Sequence, residues 1–323
     1  MSQISTLRFC VAALMFLAPG FLAAQTAPSA PVTSTRVVGR IIAVKVIGNV
    51  MVTDVRNLMQ PRRLVENGEV TEGQIINTGE DSRVLLVFSN GATVNLAAKS
   101  TLSIDEFLQD PFAQPVKVSE LIDEPTNSST KLNLIRGELM SNVKHLRREK
   151  GSVFSVQTPV GAAGIRGTTF QILYRSMENE RVASFALRMV EGKIALDFGA
   201  RSRAVDVEKD QQVVLDAIPL DAAGRILSLP ANIKPTEIPA SIKASLAFAQ
   251  QQLMEAAASA NFPAMTQSSA PQEAYPQSGG SADGSSDSGS TTGTTTGPNT
   301  SSLSPVPPVV APAIRTTPGD GKL

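Results

Sequence analysis

Between Ser155 and Ile172 the chain reads Ser-Val-Gln-Thr-Pro-Val-Gly-Ala-Ala-Gly-Ile-Arg-Gly-Thr-Thr-Phe-Gln-Ile. Two strand-like pieces flank a turn built from Pro159, Gly161, Gly164 and Gly167, and the backbone has to bend where those residues permit it. No helix tolerates that density of glycine and proline, so the centre of the chain is committed to strands and turns.

The same grammar extends in both directions. Val37–Ile47 is dense in β-branched residues, and Gly48-Asn49 separates it from Val50–Thr53, which predicts two strands joined by a tight turn. Residues 54–80, punctuated by Gly68, Gly73 and Gly79, predict short strands. Asn90-Gly91 between Ser82–Ser89 and Ala92–Ala97 predicts a hairpin with a type I′ turn, in which both central residues take positive φ. Asp105–Thr130, with Pro111, Pro115 and Pro125, reads as a long excursion holding a short helical turn near Val118–Ile122. Gly137 and the alternation around it favour strands over Leu132–Leu146. Further strands fall at 185–190, 194–198, 204–207 and 212–215. Residues 36–217 are thus expected to form an all-β domain, a sandwich or roll of short, mostly antiparallel strands.

Both ends have a different composition. Residues 1–24 carry one charge, Arg8, ahead of an apolar run that ends in Ala23-Ala24, the pattern of a cleaved signal peptide; a retained membrane anchor is the rival. Residues 25–35 form a flexible lead-in and 218–238 a linker. Ile242, Leu246, Ala249 and Leu253 fall at helical spacing, so residues 239–260 predict one amphipathic helix opened by Pro239. Residues 261–323, rich in Ser, Thr, Gly and Pro, are expected to be a disordered tail.

Composition excludes most chemistry. Cys10 is the only cysteine and lies in the proposed signal peptide, so the exported chain has neither disulfide nor thiolate ligand. His145 is the only histidine and sits among Lys144, Arg147, Arg148 and Lys150, where a solvated basic turn is expected rather than a general base. Zinc lacks ligands, no Asp-x-Asp-x-Asp-Gly loop offers a calcium site, and Gly161–Thr168 lacks the lysine and following helix of a phosphate loop. No cofactor is implied. Lys+Arg 29 against Asp+Glu 29 leaves no footprint for nucleic acid, and the absence of Trp weakens a sugar-stacking platform.

With these residues in view, Thr158-Pro159-Val160-Gly161-Ala162-Ala163-Gly164-Ile165-Arg166-Gly167-Thr168-Thr169-Phe170 resembles the core of the FecR domain. The resemblance extends upstream to Gly73–Gly79, Val84–Val94 including Gly91, and Leu134–Leu139 including Gly137, and downstream to Val190-Glu191-Gly192-Lys193-Ile194. It covers roughly residues 36–215 and implies an extracytoplasmic β domain of the kind that relays an outer-membrane receptor's state to a sigma factor. Those regulators place an anti-sigma segment and a membrane helix before the β domain, where this chain has a signal peptide, so direct sigma-factor control is not implied.

The family-motif residues Gly79, Gly91, Gly137, Thr158, Pro159, Gly161, Gly164, Arg166, Gly167, Thr168, Phe170, Glu191 and Gly192 are expected to be mainly structural. Arg166 can hold a turn by bonding carbonyls or a carboxylate, and a direct ligand role for it is the weaker reading. The expectation is a non-catalytic protein, periplasmic or extracellular in a bacterium, that binds a protein or envelope partner, with no nucleic acid and no membrane span in the mature chain. A structural or adhesive envelope scaffold is the alternative, and a carbohydrate-processing enzyme a weaker one.

Overall fold

A computed structural model describes residues 36–266. The proposed signal peptide, the lead-in and the tail beyond residue 266 lie outside the described residues.

The chain opens with β1 (Val37–Val38), β2 (Ile41–Ile47), β3 (Val50–Asp54) and β4 (Asn57–Arg63). It continues through β5 (Gly68–Val70), β6 (Gln74–Thr78), β7 (Arg83–Phe88), β8 (Thr93–Leu96) and β9 (Thr101–Gln109). After β10 (Val116–Lys117) comes the longest strand, β11 (Ser128–Asn142), and then β12 (Val153–Gln157), β13 (Ala162–Ile165) and β14 (Thr169–Met177). The domain closes with β15 (Val182–Glu191), β16 (Lys193–Asp197), β17 (Val205–Glu208), β18 (Gln211–Pro219) and β19 (Thr236–Glu237), followed by helix α1 (Ala240–Ser259) and β20 (Asn261–Phe262). Among the described residues the expected all-β class with one C-terminal helix is what forms, and β11 and β12 are the one parallel pair of strands.

Two sheets share one strand. In the first, neighbours run β4-β3-β6-β9-β11-β12-β13-β16-β17, with β1 on the far end of β9. In the second they run β5-β2-β7-β8-β11-β14-β15-β18-β19. Residues 128–136 of β11 pair with β9, and residues 137–142 pair with β8 and β14, so β11 leaves one sheet and enters the other at Gly137. Gly137 has φ 98°, a region L side chains avoid, and a Cβ there would overlap the Cα and Oγ of Ser100. The register with β9 also slips between Leu134 and Arg136, a bulge that adds twist where the strand turns.

The same manoeuvre is repeated on each side of β11. Strands β6 and β9 pair in the first sheet while their continuations β7 and β8 pair in the second. Strands β13 and β16 likewise pair in the first sheet while β14 and β15 pair in the second. Each unit is therefore a long hairpin bent across the core. The corners bond to one another: Gly79 N donates to Asn49 O (2.9 Å), Lys99 N to Gly79 O (3.0 Å) and Glu138 N to Ser100 Oγ (2.9 Å).

Several turns differ from expectation. The hairpin at Asn90-Gly91 forms, but only Gly91 has positive φ (88°). Gly91 N donates to Phe88 O and Phe88 N to Ala92 O (both 2.8 Å), giving a three-residue loop in place of type I′. Asn90 keeps negative φ because its buried amide is used elsewhere, donating to Ser128 Oγ (3.1 Å) and Thr130 Oγ1 (3.2 Å). The Ser155–Ile172 stretch is also not one turn between two strands. It is three strands with two turns, at 158–161 and 166–168, and Gly164 lies inside β13 opposite Ser155 and Ala195.

Helix α1 covers the second sheet from outside, and this explains why Val84–Phe88 is apolar without alternation. Val84, Leu86 and Phe88 fill the core between the sheets, whereas Leu85 and Val87 join Leu246, Leu253, Ala256 and Phe262 in a second core under the helix. The excursion before β11 and the chain after the helix hold each other. β10 pairs with β20, and Phe112 and Met265 exchange backbone hydrogen bonds of 2.9 and 2.8 Å. Residues 261–266, placed in the tail by composition, thus pack on the domain because Phe262 and Met265 supply anchors that the surrounding Pro and Ala obscure. The linker residues Ile233 and Ile238 are buried as well.

Two measurements check this architecture. Replacing Gly137 with Ala is expected to lower unfolding stability by about 3 kcal/mol, from strain plus displacement of Ser100. In the same denaturation series Phe262→Ala is expected to cost about 3 kcal/mol, while Phe248→Ala, on the exposed helix face, changes stability by less than about 0.5 kcal/mol.

Candidate functional site

Most motif residues are consumed by the fold. Phe170 is fully buried in the inter-sheet core. Thr158 closes the 158–161 turn, its Oγ1 donating to Gly161 O (2.9 Å), and a Cβ on Gly161 would run into Asp197 O. Pro159 sits beside this turn, and its carbonyl accepts from Arg201 (3.4 Å). Gly79, Gly91, Gly137 and Gly192 occupy the corners and turns, and a Cβ on Gly192 would press on the buried Thr168. Glu191 is exposed at the end of β15, lining a depression beside Lys209, Lys243 and α1.

Besides Glu191, two motif positions are not explained this way. Gly164 has no positive φ, is exposed, and the nearest atom to a Cβ built on it is Ala195 O at 4.0 Å. Nothing in the fold requires glycine there. Arg166 is also exposed, and among the described residues its side chain makes no hydrogen bond or ion pair, so it does not hold the turn as the sequence led us to expect. A glycine inside a strand with open space above it is a place where another molecule's backbone can approach closely.

Both positions face one groove on the outer surface of the first sheet. Its floor is the row Ser155–Gly164–Ala195, three small residues in register across β12, β13 and β16. Arg148 and Arg166 line it together with Ser152 and Val153, and the enclosed volume is about 280 Å³. A larger cleft of about 510 Å³ lies between Ile135, Tyr174, Arg181 and the 220–224 loop. Its acid is satisfied internally: Asp221 accepts from Arg225 Nε and from the backbone of Ala223 and Arg225, bonds that hold its carboxyl below the usual range. Burial pushes the Tyr174 phenol up in the same cleft, and Pro159 is the only family-motif residue on its wall.

Local structure brings the two arginines together. Gly167 has φ 84°, and a Cβ on it would lie 3.0 Å from the Cα and Nδ1 of His145, so the 166–168 turn rests directly on the 144–150 turn. That basic turn is pinned from beneath by Glu124, which is completely buried. Arg147 N donates to Glu124 Oε1 (2.6 Å), Ser128 Oγ to Glu124 Oε2 (2.8 Å), and Glu124 N to His145 O (3.0 Å). The backbone that carries Arg148 is therefore fixed. His145 itself is exposed, as the sequence predicted for a solvated basic turn.

The patch is cationic. Lys144, Arg147, Arg148, Lys150 and Arg166 make no ion pair among the described residues, and Glu149 is the one acid within the turn. By contrast Lys131 and Lys193, farther along the same face, are paired with Glu106 and with Asp206 and Glu208. Burial alone pushes the Lys144 ammonium down. Among the described residues no group of three or more His, Cys, Asp or Glu converges as a metal site, and no helix is long and apolar enough to cross a membrane.

Comparison with known proteins agrees with the motif. The family model described as FecR protein matches residues 74–195, from the first residue of β6 into β16, which spans both bent hairpins and the strand between them. The match to the FecR family is confined to this part of the chain, and that family is regulatory and not known as enzymatic. No curated protein matches the chain. Two crystal structures of a candidate anti-sigma factor from Parabacteroides distasonis are similar at 15% and 16% identity, with TM-scores of 0.35 and 0.36. The matches cover 52% and 53% of this chain and 61% and 64% of those, so the chain spans less than two thirds of their length.

Arg148, Glu124 and the open floor at Gly164 escaped the sequence reading. Arg148 is one of several similar cations, and Glu124 lies between Asp123 and Pro125 in what reads as a solvated loop. Gly164 is indistinguishable from its turn-forming neighbours until the strand register is known. If the groove residues are free of structural duty, Gly164→Ala and Arg166→Gln will each leave the unfolding free energy from chemical denaturation unchanged within about 0.5 kcal/mol, whereas Gly167→Val will be strongly destabilised.

Proposed function

We propose that this protein is an exported, non-catalytic FecR-domain component of a bacterial envelope signalling system, and that it acts by docking a protein partner on the groove at β12 and β13. The observation that carries this reading is that Gly164 and Arg166, two family-motif positions to which the fold gives no role, line the same groove. A residue type that the fold does not demand has its explanation in what binds there. The apolar run and Ala23-Ala24 of the first 24 residues support export.

The class of activity follows from what the groove contains. Guanidinium groups, two serines and open backbone recognise and orient, and the patch has no acid–base pair placed to move a proton. A photo-crosslinker replacing Val153 on the groove wall, in tagged protein expressed in its own cell, is expected to trap one stoichiometric protein from the periplasmic fraction. The same group at Val214, exposed on β18, is expected to trap none. Retention on purified peptidoglycan with no protein adduct would replace the docking reading with the scaffold one.

A further inference from the structure

The proposed docking groove has a definite chemistry, and on that reading we infer that its occupant is an extended, acidic peptide segment of the partner protein, whose carboxylates are held by Arg148 and Arg166. Three observations carry this. The five cations around the groove outnumber Glu149 and the buried Glu124 beside them and form no ion pair among the described residues, so a net positive field is turned toward solvent. Guanidinium is the group whose planar fork matches a carboxylate with two parallel hydrogen bonds, and both cations lining the groove are arginine. The floor is Ser155, Gly164 and Ala195, without a side chain longer than a hydroxymethyl, so a main chain can lie against it while its acidic side chains reach the rim.

The shape argues against other anionic partners. A membrane surface favours cations on a convex or flat face with apolar side chains beside them to enter the lipid, and these cations surround a narrow depression. A polysaccharide site of this kind would present an aromatic face, and the one aromatic on the wall, Phe154, is buried with its ring in the inter-sheet core.

The test uses the whole mature protein and a fluorescent glutamate-rich octapeptide, followed by anisotropy at low and high salt. Binding is expected to weaken steeply with salt. Arg148→Gln and Arg166→Gln are each expected to reduce affinity about tenfold, the loss of one charge-assisted pair. Gly164→Leu is expected to abolish binding by filling the floor, and Lys234→Gln, an exposed charge outside the groove, to leave it unchanged. Each variant is first shown to melt with the wild type, so that a loss of binding is not a loss of fold. Equal binding of a glutamine-substituted octapeptide, equal affinity of the variants, or arginine-dependent binding of phosphatidylglycerol vesicles in place of the peptide would overturn the inference. If the Val153 crosslink persists in Arg166→Gln and Gly164→Leu protein, docking stands and only the acidic-peptide chemistry falls. If no crosslink forms, the docking reading itself fails.

Discussion

One strand belongs to two sheets, and every other feature is arranged around that fact. A strand can change sheets only by turning its pleat across the core, and at Gly137 that turn puts the backbone at φ 98° directly against Ser100. The strands around β11 bend at the same level, with β12 inserted between β11 and β13 in the first sheet alone. The hairpin arms β6–β7 and β8–β9 turn together on one side, and β13–β14 and β15–β16 on the other. The motif glycines are therefore best understood as a seam of corners. The FecR match begins with β6 and ends in β16 because those strands bound the pair of bent hairpins that β11 joins.

Much of this was legible in the sequence, for a physical reason. Short β-branched runs between glycines have one stable outcome, and the strands, the hairpin at Asn90-Gly91, the helical turn within Val118–Ile122 and the helix carrying Leu246 and Leu253 all fall where those patterns put them. What failed was conformational detail that depends on partners distant in sequence. Asn90 does not adopt positive φ because its amide is engaged by Ser128 and Thr130, about forty positions later, and no local preference encodes that. Phe262 and Met265 looked like the start of a tail, since their anchoring strand, β10, lies inside an excursion whose sequence carries three prolines.

The candidate site was half legible. Arg166 stood out as part of the motif, but its expected task was structural, because an arginine beside two glycines commonly braces a turn. In the fold the turn is braced from below, by Gly167 lying on His145 and by Glu124 holding the 144–150 backbone, which leaves the guanidinium free. Gly164 shows the same limit from the other side. Four glycine or proline positions within nine residues look alike in sequence, and register alone separates the ones that bend the chain from the one that opens a floor.

The position of α1 decides which surface is available. A β-sandwich of this kind has two outer faces, and either could in principle receive a partner. Here the second sheet's outer face is apolar at Leu85, Val87 and Met140 and is closed by Leu246, Leu253 and Phe262 from the chain itself. Next to it that face carries side chains bonded to each other, Arg188 bridging Gln171 (2.8 Å) and Gln212 (3.2 Å), with Gln171 in turn donating to Glu138 (2.6 Å). An internally satisfied ladder offers a partner little, since each new bond must replace an existing one. The first sheet is the opposite case around β12 and β13: small side chains and cations without partners, where a new interaction displaces only water. Binding is thus directed to the groove as much by the helix that closes one face as by the arginines that mark the other.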